Sequence, residues 1–177
     1  MGLLSNHICY LAGPIDQAKD DGKTWRKNLA PFLRNEGISV IDPTDSAFSN
    51  EDDSVAVSKI NIAKEAADWD KATRIGKEVV QRDLRAVDLS SFVVAYINHD
   101  IFMCGSIIEI AHAAMQRKPV IICCEQGKEG VPNFLWGMLK HEMFFGSWDE
   151  VERYIINVNM GIEPRLNRWK FLDQQKL

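Results

Sequence analysis

Two carboxylates stand out by the positions their surroundings give them. Glu109 lies in "GSIIEIAHAAMQRK", residues 105–118, a stretch of helical periodicity opened by Gly105 and Ser106. An acid within the first turn or so of a helix is favoured in its ionised form by the exposed backbone N–H groups and the positive helix end. If that helix start faces a crevice, Glu109 is an anion held where a nucleophile is wanted. The plainer reading is an ordinary N-terminal helix acid. Asp83 sits in "QRDLRAVD", late in another helical stretch, where an acid opposes the helix dipole. Either its position serves a site, or it is a solvated residue paired with Arg82 or Arg85 on a charged face.

Other polar residues carry weaker signals. His112 lies three positions after Glu109 but lacks an HExxH pattern, so a packed histidine is the simpler reading. His99 and Asp100 suit a binding loop or a plain turn. Ser106 fits a helix cap first and a ligand hydroxyl second. "GKEG", residues 127–130, is too short for a phosphate-binding loop.

The elements that must position these residues alternate along the chain. "HICYLA" (7–12), "ISVID" (38–42), "SFVVAYI" (91–97), "PVIICC" (119–124) and "MFFG" (143–146) read as strands, the third and fourth apolar throughout as in a sheet buried on both faces. Helical periodicity fills the gaps. It runs through Trp25, Leu29, Phe32 and Leu33 with Pro31 inside the pattern, then over 59–88, over 105–118 and in a short piece at 131–141. A last helix is opened by Ser147, where "SWDE" has the form of a capping box. This alternation predicts an α/β fold, an open and mostly parallel five-stranded sheet with helices on both faces and the flavodoxin-like (Rossmann-like) order 2-1-3-4-5. One domain over 1–177 is expected, with an acidic insertion at about 44–72, exposed and loop-like up to about 58, and an extended tail at about 158–177.

Composition narrows the function. The 177 residues are 46% hydrophobic and 26% charged, with a net charge of −4, which argues against a surface for nucleic-acid polymers. No apolar run approaches the ~20 residues of a membrane span, and the N-terminus carries no secretory pattern. Cys9, Cys104, Cys123 and Cys124 include no CxxC pair, so neither metal nor disulfide framework is expected, and a reduced, cytoplasmic location is. In such a sheet ligands bind beyond the carboxyl ends of the strands near the switch in strand order. "GPID" after the first strand and "NHDIFMCGS" after the third should flank that point, with "EQGKEGVPN" close by.

"YLAGPID", the acid in "RDLRAVDLSSFVVAYI" and "GSIIEIAHAAMQRKPVII", in this order, resemble the nucleoside 2-deoxyribosyltransferase-like family, which includes nucleotide N-glycosidases. The likeness covers 7–17 and about 79–124 well, but neither the 44–72 segment nor the tail. It implies Glu109 as the nucleophile on the sugar C1′, Asp83 handling the proton of the departing base, and Tyr10 orienting the nucleophile. Gly13, Pro14 and Ile15 would line the base and sugar pocket, with Asp16, Gly105 and Ser106 beside them. Asn133 would lie near a subunit boundary, with Trp136, in a homo-oligomer. A sugar with oxocarbenium character needs an anion below C1′ and an acid at the leaving group. The implied activity is cleavage or exchange of the N-glycosidic bond of a 2′-deoxynucleoside or its monophosphate, without metal or organic cofactor.

Asp16 would repel a 5′-phosphate and leans toward a nucleoside, although Ser106, Lys23 and Arg26 are available to meet a phosphate. Two other readings are an N-glycosidase for a larger substrate such as NAD, with 44–72 as a lid, and a nucleotide-sensing module without turnover.

Overall fold

A computed structural model of the chain describes residues 2–45 and 52–173. The apolar run near the start forms β1 (Ile8–Ala12), buried from Cys9 onward. The loop after it ends at α1 (Lys23–Asn35), whose Trp25, Leu29 and Leu33 face inward and whose exposed Pro31 lies inside the helix. Asp20 caps the first turn, its carboxylate accepting from the amides of Gly22 (3.1 Å) and Thr24 (2.8 Å). Gly22 is at φ 67, and a Cβ there would stand 2.2 Å from the Pro14 carbonyl oxygen, so the turn admits only glycine.

After the short strand β2 (Ser39–Ile41) come α2 (Asp53–Glu65) and α3 (Trp69–Leu89). Part of 44–58, expected as exposed loop, is therefore helical. Asp52 caps α2 by accepting from the Ser54 amide at 2.8 Å, and Asp53 and Ala56 are buried; residues 46–51 lie outside the described residues. The helical stretch expected over 59–88 is two helices, because Ala67 turns the chain at φ 54 and Asp68 starts a new one by capping Lys71.

The rest follows the alternation: β3 (Phe92–Ile97), α4 (Cys104–Met115), β4 (Val120–Cys124), α5 (Asn133–Met138), β5 (Phe144–Phe145) and α6 (Trp148–Asn159). Ser147 accepts from the Glu150 amide at 3.3 Å, the half of the capping box that "SWDE" predicts, while the Glu150 carboxylate accepts from the amide of Gly146, one residue before the cap, at 3.0 Å. The sheet order is β2-β1-β3-β4-β5 and every pair is parallel. Helices flank the sheet, α1 meeting α6 through stacked Trp25 and Trp148, and α3 packing on α4 and α2.

The tail packs back on this body. Trp169 is fully buried against Phe92 and donates to the Tyr154 hydroxyl at 3.0 Å, just before α7 (Lys170–Asp173). Residues 174–177 lie outside the described residues. The four cysteines are free, and among the described residues no helix is long and apolar enough to cross a membrane.

Candidate active site

Glu109 is reached from below by β1. Tyr10, fully buried in mid-strand, donates its hydroxyl to Glu109 Oε1 at 2.8 Å, joining residues 99 positions apart. Glu109 is the sixth residue of α4, which starts at Cys104 with Met103 as its cap, so it lies beyond the first turn where the helix end helps an anion. Ser106 is accordingly not the cap but a buried residue of the first turn. The Tyr10 hydroxyl and the buried cation Arg26 favour the Glu109 anion instead. Burial, and after it the charge of Asp83, outweigh them and push the Glu109 carboxyl up to about 7.

Asp83 faces the same space from α3. Its side chain is 15% exposed, so it is no solvated surface acid, although Arg82 does pair with it at 3.4 Å. Burial raises its carboxyl to about 6 against the pull of Arg82. Arg82 in turn pairs with buried Asp53 of α2. The charge of Asp83 adds to the rise at Glu109, so the two carboxylates titrate together.

Around them is a cavity of about 170 Å3 between the first loop, α2, α3 and the start of α4. Gly13, Pro14, Ile15 and Asp16 line one side, Gly105 and Ser106 another, with Asp83 and Glu109 in the wall. The site residues that the resemblance implies converge here except Tyr10, which lies beneath, and Asn133, which is exposed at the start of α5 and outside the lining; His99, Asp100 and His112 are outside it too. Asp53 and Val57 of α2, Val79 of α3, and Phe102 to Cys104 before α4 complete the wall. The sequence reading had Phe102 to Cys104 in a loop flanking the crevice and missed Asp53, Val57 and Val79 as wall residues. The only signal for the α2 contribution was "DDS", an acid-serine helix start inside an acidic stretch.

Arg26 is the other residue whose place only the fold reveals. Its guanidinium is fully buried, donating to the carbonyls of Gly22 (2.7 Å), Gly13 (2.8 Å) and Leu11 (3.4 Å), with Asp42 at 3.6 Å. It braces the first loop from behind and cannot serve a phosphate in the cavity. Lys23 is likewise engaged, with Asp52 at 2.8 Å and Ser54 at 3.2 Å, tying α1 to the start of α2. Gly13 is needed where it is, since a Cβ would come within 2.7 Å of the Trp25 ring. Among the described residues no group of three or more His, Cys, Asp or Glu side chains could hold a metal ion.

No family model and no curated protein sequence matches the chain. Solved structures do. A 2-deoxyribosyltransferase from Bacillus psychrosaccharolyticus aligns over 86% of this chain and 96% of its own, at 18% identity and a TM-score of 0.55. The chain shares its fold with that enzyme. A CMP N-glycosidase from Clostridium botulinum (16% identity, 84% of this chain and 98% of its own, TM-score 0.47) and a 2-deoxyribosyltransferase from Leishmania mexicana (14%, 85% and 97%, TM-score 0.48) also align.

Proposed function

We propose that the chain breaks or exchanges the N-glycosidic bond of a 2′-deoxynucleoside through a covalent glycosyl–Glu109 intermediate. The observation that carries this reading is the placing of Glu109 and Asp83, from different helices, in one cavity with both carboxyls raised and Tyr10 bonded to one of them. With Oε1 held by Tyr10, Oε2 is the oxygen that attacks C1′. As the C1′–N bond breaks, its electron pair goes to the base nitrogen, which takes the proton from Asp83. In the second step water, or a nitrogen of another base, attacks C1′; its proton passes to Asp83 and Glu109 leaves as carboxylate. The scheme runs from the form in which Glu109 is ionised and Asp83 holds the proton; the Tyr10 hydroxyl and Arg26 favour that Glu109 anion against its burial.

The cavity wall favours a nucleoside over its monophosphate. Its charged residues are Asp16, Asp53, Asp83 and Glu109, with no Lys or Arg among the lining, and Arg26 is spent on backbone carbonyls. A phosphate dianion there would meet like charge that only Arg82, already engaged by Asp53 and Asp83, offsets. Neither metal nor organic cofactor enters the scheme. The reading includes an intracellular enzyme that self-associates, with exposed Phe134 and Trp136 beside Asn133 at the contact; sedimentation of the purified chain tests that part.

The experiment is a chromatographic assay of nucleosides, their monophosphates and NAD, each with and without a second base. Free base from a 2′-deoxynucleoside, or a new nucleoside when a second base is present, is expected from the wild type and not from Glu109→Gln. Undiminished turnover in the variant would overturn the assignment.

A further inference from the structure

A second cavity opens on the other side of the first loop. Its volume is about 530 Å3 against about 170 Å3 for the one holding Asp83 and Glu109, and Pro14 lines both. Tyr96 and Asn98 from the carboxyl end of β3, and Glu125 just after β4, form one wall; Trp25 of α1 and Trp148 of α6 form another. It therefore lies where ligands of open parallel sheets bind. Pockets for small organic molecules usually measure ~300–1,000 Å3, and the wider cavity falls in that range.

Its lining states what such a ligand must offer. Trp25 and Trp148 stack with ring centroids 5.1 Å apart and planes 8° apart, and Tyr96 lies 5.7 Å from the first and 5.8 Å from the second. Trp25 is buried and Tyr96 is tilted by 39° and 33° to the two indoles, so the half-buried faces of Trp148 and Tyr96 are the aromatic surface that a planar ring can meet. The Tyr96 hydroxyl donates to Glu125 Oε2 at 2.7 Å and accepts from Asn98 Nδ2 at 3.4 Å, which leaves the second Glu125 oxygen to accept from a ligand. Three carboxylates, Asp20, Asp100 and Glu125, stand in the lining against one ammonium, Lys19. Phosphate and carboxylate ligands are therefore disfavoured and N–H donors favoured.

We propose that this cavity binds a planar nitrogen heterocycle bearing several N–H donors, a nucleobase. The choice of nucleobase among such heterocycles rests on the N-glycosidic reading; the existence of the site does not. The ring lies against the aromatic patch and donates to Glu125. It arrives either as a free base, bound across Pro14 from the reacting carboxylates, or as the base end of a nucleoside whose sugar enters the narrower cavity.

The test titrates adenine, cytosine and their 2′-deoxynucleosides into the full chain, read by tryptophan fluorescence and saturation-transfer NMR. Saturable binding is expected, weakened about tenfold by Glu125→Gln through loss of the charged acceptor. The residue is exposed, so this variant leaves the core intact. Trp148→Phe reduces the fluorescence response and weakens binding in the same order of ligands. Binding of the free bases, lowered by Glu125→Gln but indifferent to Glu109→Gln, identifies a separate base site. Binding of the nucleosides alone, lowered by both substitutions, identifies one substrate spanning the two cavities. No saturable binding of either ligand set, or binding that ignores both Glu125→Gln and Trp148→Phe, overturns the proposal. Neither result bears on whether Glu109 is needed for base release, which the turnover assay decides by itself.

Discussion

The two cavities beside Pro14 hold the same kind of side chain in opposite states. In the narrow one, Glu109 and Asp83 are desolvated and near each other, and both carboxyls are pushed up, to about 7 and about 6. On the rim of the wide one, exposed Asp20 accepts hydrogen bonds from two backbone amides and from the Thr24 side chain, and its carboxyl is held below the ordinary value. Burial penalises the charged form in the first case and hydrogen bonds favour it in the second. A carboxylate is thus made into a proton carrier or into a helix cap by its surroundings, on the two sides of one loop.

The sharpest way to test this contrast is Glu109→Gln. Base release should fall by about 10³-fold or more, as when a nucleophile is removed, in the chromatographic assay. Stability should move the other way. A carboxyl raised from 4.5 to about 7 binds its proton more tightly in the folded chain. That contribution is complete below 4.5 and is lost as pH rises toward 7, where the buried charge must form. The variant should therefore melt above the wild type at pH 8, by on the order of 2 kcal/mol in stability, and the difference should shrink toward pH 4.5. A variant less stable than the wild type at pH 8 would show that Glu109 serves the fold.

Asp83→Asn should cost about 10²-fold in turnover, the usual scale of general acid–base catalysis. The loss should be recovered in part with a nucleoside whose base leaves without protonation; equal losses for both substrates would remove Asp83 from the acid role. Tyr10→Phe should have a smaller effect, about tenfold in kcat/KM. The Tyr10 hydroxyl favours the Glu109 anion, so removing it raises that carboxyl further. The acid limb of the pH–rate profile, expected between about 6 and about 7 for the pair, should then move to higher pH. An unmoved limb would mean that Tyr10 acts through packing alone. The smallest effect belongs to the other cavity. Asp20→Ala should cost about 1 kcal/mol through loss of the helix cap, measured by thermal melting. The acid limb that Tyr10→Phe moves should stay in place, and a shift of the limb in Asp20→Ala would break the contrast between the two sides of the loop.

Much of this arrangement was legible in the residues because it depends on local rules. Strand order follows from the β-α alternation and right-handed crossovers, and the capping boxes and glycine turns follow from backbone hydrogen bonding over three or four residues. Glu109 drew attention for its helix position, yet its charge is governed first by burial and then by Asp83, Tyr10 and Arg26, none of them its neighbour in sequence. Arg26 read as available to meet a phosphate, and nothing in its local sequence marks it as buried while the adjacent Lys27 is exposed. Only packing shows that it points under the loop. The segment around Asp53 read as loop, since its acids mask a helix whose apolar face is small, and it became helical by pairing with Arg82 and packing on α3.

The sequence alone determined the five strands, their order and the three loops at the carboxyl edge, because hydrophobic period and turn chemistry act over a few residues. Which carboxylates are buried, which cation braces the loop and how the edge divides into a narrow acidic cavity and a wide aromatic one were decided by tertiary structure. Desolvation and charge coupling act between side chains that meet only once the sheet has formed.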